Sequence, residues 1–392
     1  MEPGIKTMNS TNLKPVSLKE YLLYFLKLGS LGFGGPIVLA SHMRRDLVDS
    51  RQWASPEEYE NGLALAQLAP GPLAAQLAIF LGWVRFGNLG ATLVAGAFIA
   101  PSFLIVVVLS ELYVKYSGLP WIQGAFYGIG AAVIAIMVLG VQKLARRAIG
   151  TDRLFAAIAI VTAIITVATQ QEIIWIFLAA GLLAVLVKTP PSQNSRGMAA
   201  FVIPTSLVTG LVSPADTDLL WRIFLYFAKA GAFVFGSGLA IVPFLHSGVV
   251  RDYGWLTEQQ FLDAVAIAMI TPGPVVITVG FIGYLVAGLA GAVAAALGVF
   301  LPCYLLVIIP APYVQKYSKV PMIKAFIGGV TAAAIGAIAG AAFVLGKRAI
   351  VDLPTIMIFC GAIFMLLKVK KLPEPVLIMI AGLVGFGLKF SM

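Results

Sequence analysis

The chain has 392 residues, 60% hydrophobic and only 11% charged, with a mean hydropathy of +0.97; this excludes a soluble globular protein, and lipid must solvate most of the surface. A net charge of +10 does not mark a nucleic-acid binder, because the basic residues are scattered through short loops with no basic stripe or aromatic-interleaved platform. Cys303 and Cys360 stand in apolar runs without ligand spacing, which excludes a disulfide framework and a zinc site and leaves two inert core thiols.

Residues 1–19 carry Lys6, Lys14 and Lys19 and no apolar stretch ending in a cleavage site, so a cytoplasmic tail is expected, with insertion starting at the first membrane helix. From there the apolar runs predict an all-α, polytopic membrane bundle of about 12 to 13 transmembrane helices. A first membrane repeat, 20–190, holds a helix over 20–40 broken by glycines and one over 58–84 broken by Pro-Gly-Pro; helices over 88–112, 120–142, 153–169 and 172–188 follow. The linker 191–218 contains an apolar stretch, 198–213, interrupted by Pro204. A second repeat, 219–392, holds broken helices over 219–245 and 257–286, then helices over 287–311, 321–343, 353–368 and 374–390.

The two repeats are copies of one unit. A shift of 202 residues places Phe25, Lys27, Gly29, Phe33 and Gly34 on Phe227, Lys229, Gly231, Phe235 and Gly236, and Pro70-Gly71-Pro72 on Pro272-Gly273-Pro274. One deletion later a shift of 201 carries Pro101 onto Pro302 and Arg147-Ala148-Ile149 onto Arg348-Ala349-Ile350. Ordered matches of this kind are a tandem duplication.

Loop charge orients the halves. Lys143, Arg146, Arg147 and Arg153 cluster after the fourth helix and Lys188 and Arg196 after the sixth, which places those loops and the amino terminus inside. In the second half the heavier clusters change places: Lys316, Lys319 and Lys324 precede the corresponding helix, and Lys368, Lys370 and Lys371 follow the next. Putting the heavier clusters inside requires halves of opposite orientation, with 198–213 as the odd span between them.

Two motifs carry the chemistry. The run Gly29-Ser-Leu-Gly-Phe-Gly34-Gly35-Pro36, echoed from Gly231 through Gly236-Ser237-Gly238, is too rich in glycine for a continuous helix, and backbone unwound at membrane depth has to be met by protein or by a water-filled cavity. No strand precedes it and its spacing is wrong for a dinucleotide fingerprint. The alternative is that the glycines only permit close helix packing. In Pro70-Gly71-Pro72 and in Thr271-Pro272-Gly273-Pro274 each proline removes a backbone donor. A half-helix starting there would turn free N–H groups and a positive dipole end toward an anion; otherwise the motif is a kink that shapes the bundle.

Lys27 and its mate Lys229 are embedded in apolar sequence, where a lysine costs about 2.5–3.5 kcal/mol at a helix centre. They read either as contacts to an anion or as snorkelling side chains. The connection from His42 through Arg44, Arg45 and Arg51 to Trp53, and its mate ending Arg251-Asp252-Tyr253-Gly254-Trp255, is amphipathic and reads as an interfacial helix. His42, Arg44, Arg45 and Arg251 are candidates for an anion funnel or gate. Carboxylates within spans are nearly absent, Glu111 and Asp263 being the arguable cases. No cofactor pattern, nucleotide-binding loop or hydrolase motif is found, so neither an enzyme nor a cofactor is expected.

The run Phe25-Leu-Lys27-Leu-Gly29-Ser-Leu-Gly-Phe33-Gly34-Gly35-Pro36, then Trp53, then Leu68-Ala-Pro70-Gly71-Pro72, resembles the chromate ion transporter family. The second half, with Phe235-Gly236-Ser237-Gly238, Trp255-Leu256, Thr271-Pro272-Gly273-Pro274 and Phe300-Leu301-Pro302, is similar to the carboxyl half of its long-chain, two-domain form. The resemblance implies efflux of chromate across a bacterial inner membrane, with sulfate as competitor or counter-substrate, chromate resistance for the host, and antiparallel halves. Replacement of Gly35-Pro36 by Ser237-Gly238 implies unequal contributions of the halves to the site. A sulfate importer and a passive anion channel remain the alternatives, and a homodimer is left open. If the charge reading holds, reporter fusions after Lys143 and Lys347 report opposite sides of the membrane; the same side for both overturns it.

Overall fold

The computed structural model describes residues 13–33, 35–116, 119–169, 174–189, 219–233, 241–313, 320–369 and 372–390. The apolar stretch 198–213, Gly34, Gly236 and Ser237 lie outside the described residues. Within them the chain is helical: α1 (Leu18–Leu31), α2 (Gly35–Met43), α3 (Pro56–Leu68), α4 (Leu73–Tyr116), α5 (Pro120–Ala148), α6 (Arg153–Thr169) and α7 (Ile174–Lys188) form the first half. The second comprises α8 (Leu219–Phe233), α9 (Ile241–His246), α10 (Glu258–Ile270), α11 (Thr278–Ile308), α12 (Pro321–Ala349), α13 (Leu353–Lys368) and α14 (Glu374–Phe390).

Local chemistry sets the boundaries. Ser55 and Glu58 form a capping box with Pro56 at the first helical position, starting α3 earlier than the apolar pattern indicates; Thr257 and Gln260 form a capping box at the start of α10. The long α4 and α11 each contain a sharp bend at a glycine of positive φ, Gly87 (65°) and Gly288 (59°). The bend folds Gly82 back against Gly90 and Gly283 against Gly291, so each is the pair of helices expected from the sequence. Helices α5 and α12, both 29 residues, run six residues past their expected ends. Charge interrupted the apolar pattern there, but Lys143, Arg146 and Arg147, and Lys347 and Arg348, are good helix formers and sit at a helix C-terminus, where cations are favoured.

The expected interfacial helices take another form. Arg44–Ser50 and Ser247–Asp252 are π-helical turns that continue α2 and α9 directly, with Leu47, Val48 and Val249 buried. Trp53 packs beside Tyr21 and Tyr24, and Trp255 stacks on Tyr253 with centroids 4.5 Å apart, so each tryptophan closes an aromatic cluster within the bundle. Cys303 is a buried core thiol as expected, but Cys360 is exposed on α13.

Among the described helices four are long and apolar enough to cross a membrane, in α4, α5, α11 and α12, with mean hydropathies between 1.9 and 2.6; α6, α7, α13 and α14 are shorter and apolar. This is a multi-pass membrane protein whose halves are intertwined. Helix α6 lies along α12, with Gly336 and Gly340 against Ala159 and Ala163, and Gly329 receives Ala180 of α7. Reciprocally, α14 lies on α5, with Ala381 and Gly385 against Gly128 and Gly124. Small residues four apart on facing helices let backbones approach closely without a hydrophobic drive, which lipid does not supply.

The central repeat mates α5 and α12 run antiparallel. Gly130 is opposite Ala349 and Ile134 opposite Gly346, while at the other end Arg147 and Ala148 face Lys324 and Gly328 across a shared cavity. The second limbs of α4 and α11 pair alike, Thr92 and Tyr304 sharing a 2.7 Å hydrogen bond. Lys188 pairs with Asp152, tying the end of α7 to the α5–α6 loop and holding the Asp152 carboxyl below its usual range through that hydrogen bond. An added Cβ at Gly130 stands 3.8 Å from the Ala349 Cβ, the usual separation across a disulfide at about 3.8 Å. Gly130→Cys with Ala349→Cys, in a Cys360→Ala background, is therefore expected to oxidise to an intramolecular crosslink. No gel shift under oxidant overturns the antiparallel pairing.

Candidate functional site

The two kinds of helix break meet across the halves. Helix α10 stops at Ile270 and the Pro272-Gly273-Pro274 turn leads through a short 3₁₀ segment, Val275–Ile277, into α11. The backbone N–H of Gly273 donates to the carbonyl of Gly32, in the glycine break after α1, at 2.9 Å. Gly273 has φ +94° and faces Ser102, whose hydroxyl donates to the Gly29 carbonyl at 3.2 Å. In the first half α3 ends at Leu68, Gly71 has φ +135°, and an added Cβ there would stand 2.8 Å from Sγ of Cys303. Cys303 is itself directed at the Gly231 carbonyl, 3.5 Å away.

Ser102 and Cys303 are repeat mates, each directly after an aligned proline, Pro101 and Pro302. Each Pro-Gly-Pro turn is thus wedged, through a small polar residue, against the glycine segment of the opposite half. Gly29 and Gly231 are needed because the backbones of Phe98 and Val299 press against them. All six Pro-Gly-Pro residues except the half-buried Pro70 are buried, as is Thr271, whose hydroxyl donates to Ile267. Gln76 Nε2 caps the Pro70 carbonyl at 2.6 Å, and its buried Oε1 has no hydrogen-bond partner among the described atoms.

One expectation needs correction here: the Gly273 N–H is not free for a ligand, because the unwound carbonyl of Gly32 takes it. A backbone donor buried in apolar surroundings is matched whenever a carbonyl lies in reach.

The charged candidates disperse. Lys27 lies exposed on the face of α1 that also carries exposed Leu23, Leu26 and Leu31, whereas Lys229 is half-buried. Arg44 stands over the Tyr59 ring at 5.8 Å, Arg45 pairs with Asp46 at 3.1 Å, Arg251 donates to the Thr169 carbonyl at 3.4 Å, and His42 is half-buried in α2. Gly35 has φ +78° with open space around it, followed by half-buried Pro36.

Three groups have a place in the structure that sequence reasoning did not assign them. Ser102 and Cys303 were signalled only by the aligned prolines before them. Asp263 is buried in α10 and accepts from Tyr113 Oη at 2.7 Å and Gln259 Nε2 at 2.9 Å, a bridge from α4 of one half to α10 of the other. The third is a network in which Glu258 accepts from Arg348 and lies 2.6 Å from His246 Nε2; its members are remote in sequence.

Broken helices facing each other across two intertwined repeats define the class: a polytopic membrane protein with discontinuous helices at its centre, the arrangement transporters use to place backbone at a binding site. The family described as "Chromate transporter" matches residues 19–185 and again 221–386. The chain is 55% identical to the "Chromate transport protein" of Cupriavidus metallidurans over 386 residues, 98% of this chain and 96% of the relative. It is likewise 55% identical to a "Probable chromate transport protein" of Synechococcus elongatus over 373 residues, 94% and 95% of the two chains. A "Chromate transport protein" of Pseudomonas aeruginosa is 32% identical over 390 residues, 95% of this chain and 92% of that one. No solved structure matches. The chain belongs to the chromate transporter family, a family of transport proteins and not of enzymes.

The glycine geometry separates two kinds of replacement. Gly35→Ala and Gly87→Ala, at positive φ in open space, are expected to cost about 1–3 kcal/mol, the usual strain of a backbone conformation that side chains rarely adopt. Gly71→Ala and Gly273→Ala add a collision with Gln76 and Cys303, or with Ser102, and should lower the unfolding midpoint of the purified protein clearly further. Equal midpoints for all four variants overturn the wedged-turn description.

Proposed function

We propose that this chain is a secondary transporter that expels a tetrahedral oxyanion, chromate foremost, across the bacterial inner membrane, with sulfate as competitor or counter-substrate. The observation that carries this reading is the crossed pair of helix breaks, where backbone polar groups from both halves gather at the centre of an apolar bundle. A dianion leaving water for hydrocarbon faces a penalty of tens of kcal/mol, so donors and cations from the protein have to replace its hydration. The Pro-Gly-Pro turns, the glycine segments and Lys229 supply these when the halves move apart, with Lys27 at the periphery.

The names of two relatives at 55% identity over nearly the whole chain favour chromate over other oxyanions. Outward movement also follows from energetics, because no nucleotide-binding motif is present in the sequence. A membrane potential, negative inside, drives a dianion outward with roughly 4.6 kcal/mol per 100 mV, twice the ~2.3 kcal/mol of one elementary charge. The halves are taken as inverted repeats in a bundle of 12 to 13 spans, a reading supported by the antiparallel packing of α5 with α12 and by the loop charges. Alternating access is then a rocking of one set of broken helices against the other.

Everted membrane vesicles test this. Chromate uptake into them is expected to be saturable, to fall severalfold when equimolar sulfate is added outside, and to require an energised membrane. Uptake that is linear in chromate and indifferent to trans-side anion points to a channel, and absence of chromate uptake with robust sulfate uptake into right-side-out vesicles to an importer.

A further inference from the structure

A cavity of about 450 Å³ opens where α2, α3, α5 and α12 meet, lined by Ser41, Tyr59, Gln67, Arg147, Lys324 and Thr331 among apolar neighbours. Its volume is an order of magnitude above the ~30 Å³ share of one water, room for an oxyanion with part of its hydration. Arg147 ends α5 of the first half and Lys324 opens α12 of the second, so the antiparallel mates bring one cation from each half to the same space. Both are exposed to it, no carboxylate lines it, and neither cation is in a salt bridge among the described residues. Tyr59 is buried with its hydroxyl on the Ala40 carbonyl at 2.9 Å, and Arg44 stands over its ring. Gln67 and Leu73, on either side of Pro70-Gly71-Pro72, form part of the wall, so the cavity abuts the first-half turn.

The aligned positions of the second half carry different chemistry. Under the repeat alignment Arg147 corresponds to Arg348, Ser41 to Pro243, Tyr59 to Phe261 and Gln67 to Met269. There the hydrogen-bonding side chains have become apolar, and the arginine is neutralised by Glu258, which also engages His246. Glu258 corresponds to Pro56, so the acid that engages Arg348 has no counterpart at the aligned first-half position. Two cations without counter-charge beside one open volume repel each other, and an anion between them relieves that repulsion while gaining charge-assisted hydrogen bonds.

We propose that this cavity is an anion-binding vestibule, with Arg147 and Lys324 as its ligands, Gln67 and Thr331 as neutral hydrogen bonders, and a small oxyanion as its occupant before it reaches the Pro-Gly-Pro turn. The proposal names a site within the transport reading and rests on it for the identity of the anion.

Its test has two arms. In proteoliposomes of the full chain, Arg147→Gln and Lys324→Gln are each expected to raise the half-saturating chromate concentration severalfold, and together by on the order of tenfold or more. Arg146→Gln, also exposed on α5 but absent from the cavity wall, should leave it unchanged. The second arm needs no transport. Gln67→Cys in a Cys360→Ala background should react faster with an anionic than with a cationic methanethiosulfonate, relative to a free thiol, and Arg147→Gln with Lys324→Gln should abolish that preference. If the thiol shows no anionic preference, or keeps it without the two cations, the vestibule is overturned even where chromate is transported. If the preference depends on the cations but the parent moves no chromate, the vestibule stands and the chromate reading fails.

Discussion

Backbone polar groups inside an apolar bundle have to find partners within the protein, and the architecture of this chain follows from that constraint. A continuous helix satisfies itself, but a helix interrupted by Pro-Gly-Pro or by four closely spaced glycines exposes donors and acceptors in surroundings where each unmet group costs several kcal/mol. Here the breaks are answered both across and within the halves: Gly273 donates to Gly32 of the other half, and Ser102 and Cys303 reach back to the Gly29 and Gly231 carbonyls of their own. A single half would lack the Gly273–Gly32 bond and the seating of Gly71 on Cys303 and of Gly273 on Ser102, so the duplicated units are interdependent even though each contains a full set of motifs.

The interdependence extends outward. Because α6 and α7 pack on α12 while α13 and α14 pack on α5, each half is clasped by the last helices of its twin. Close glycine packing supplies cohesion without the hydrophobic effect, which is nearly absent between helices surrounded by lipid.

The halves have diverged in charge. In the second, Glu258 draws Arg348 and His246 into one network, whereas Arg147 of the first shares with Lys324 of the second an open cavity with no acid in its wall. Duplication set up a symmetric scaffold, and a few substitutions, Pro56 against Glu258 and Gln67 against Met269, gave its two ends different electrostatics.

The membrane class, the duplication, nearly every helix and the positions of the breaks were legible in the sequence, because apolar length, glycine and proline act locally: a Pro-Gly-Pro breaks a helix whatever surrounds it. Loop charge likewise led to the expectation of opposed halves. Which groups meet at the centre depends on contacts between residues far apart in the chain, and local pattern carries no record of them. Thus Cys303 looked like an inert thiol and proved to press on Gly71, Gly273 looked like a free donor and proved to be spent on Gly32, and Lys27, centred in a conspicuous motif, lies on an exposed leucine face. Arg147 and Lys324 looked like two loop charges that orient helices. Only the antiparallel packing of two long helices, one from each half, placed them across one cavity.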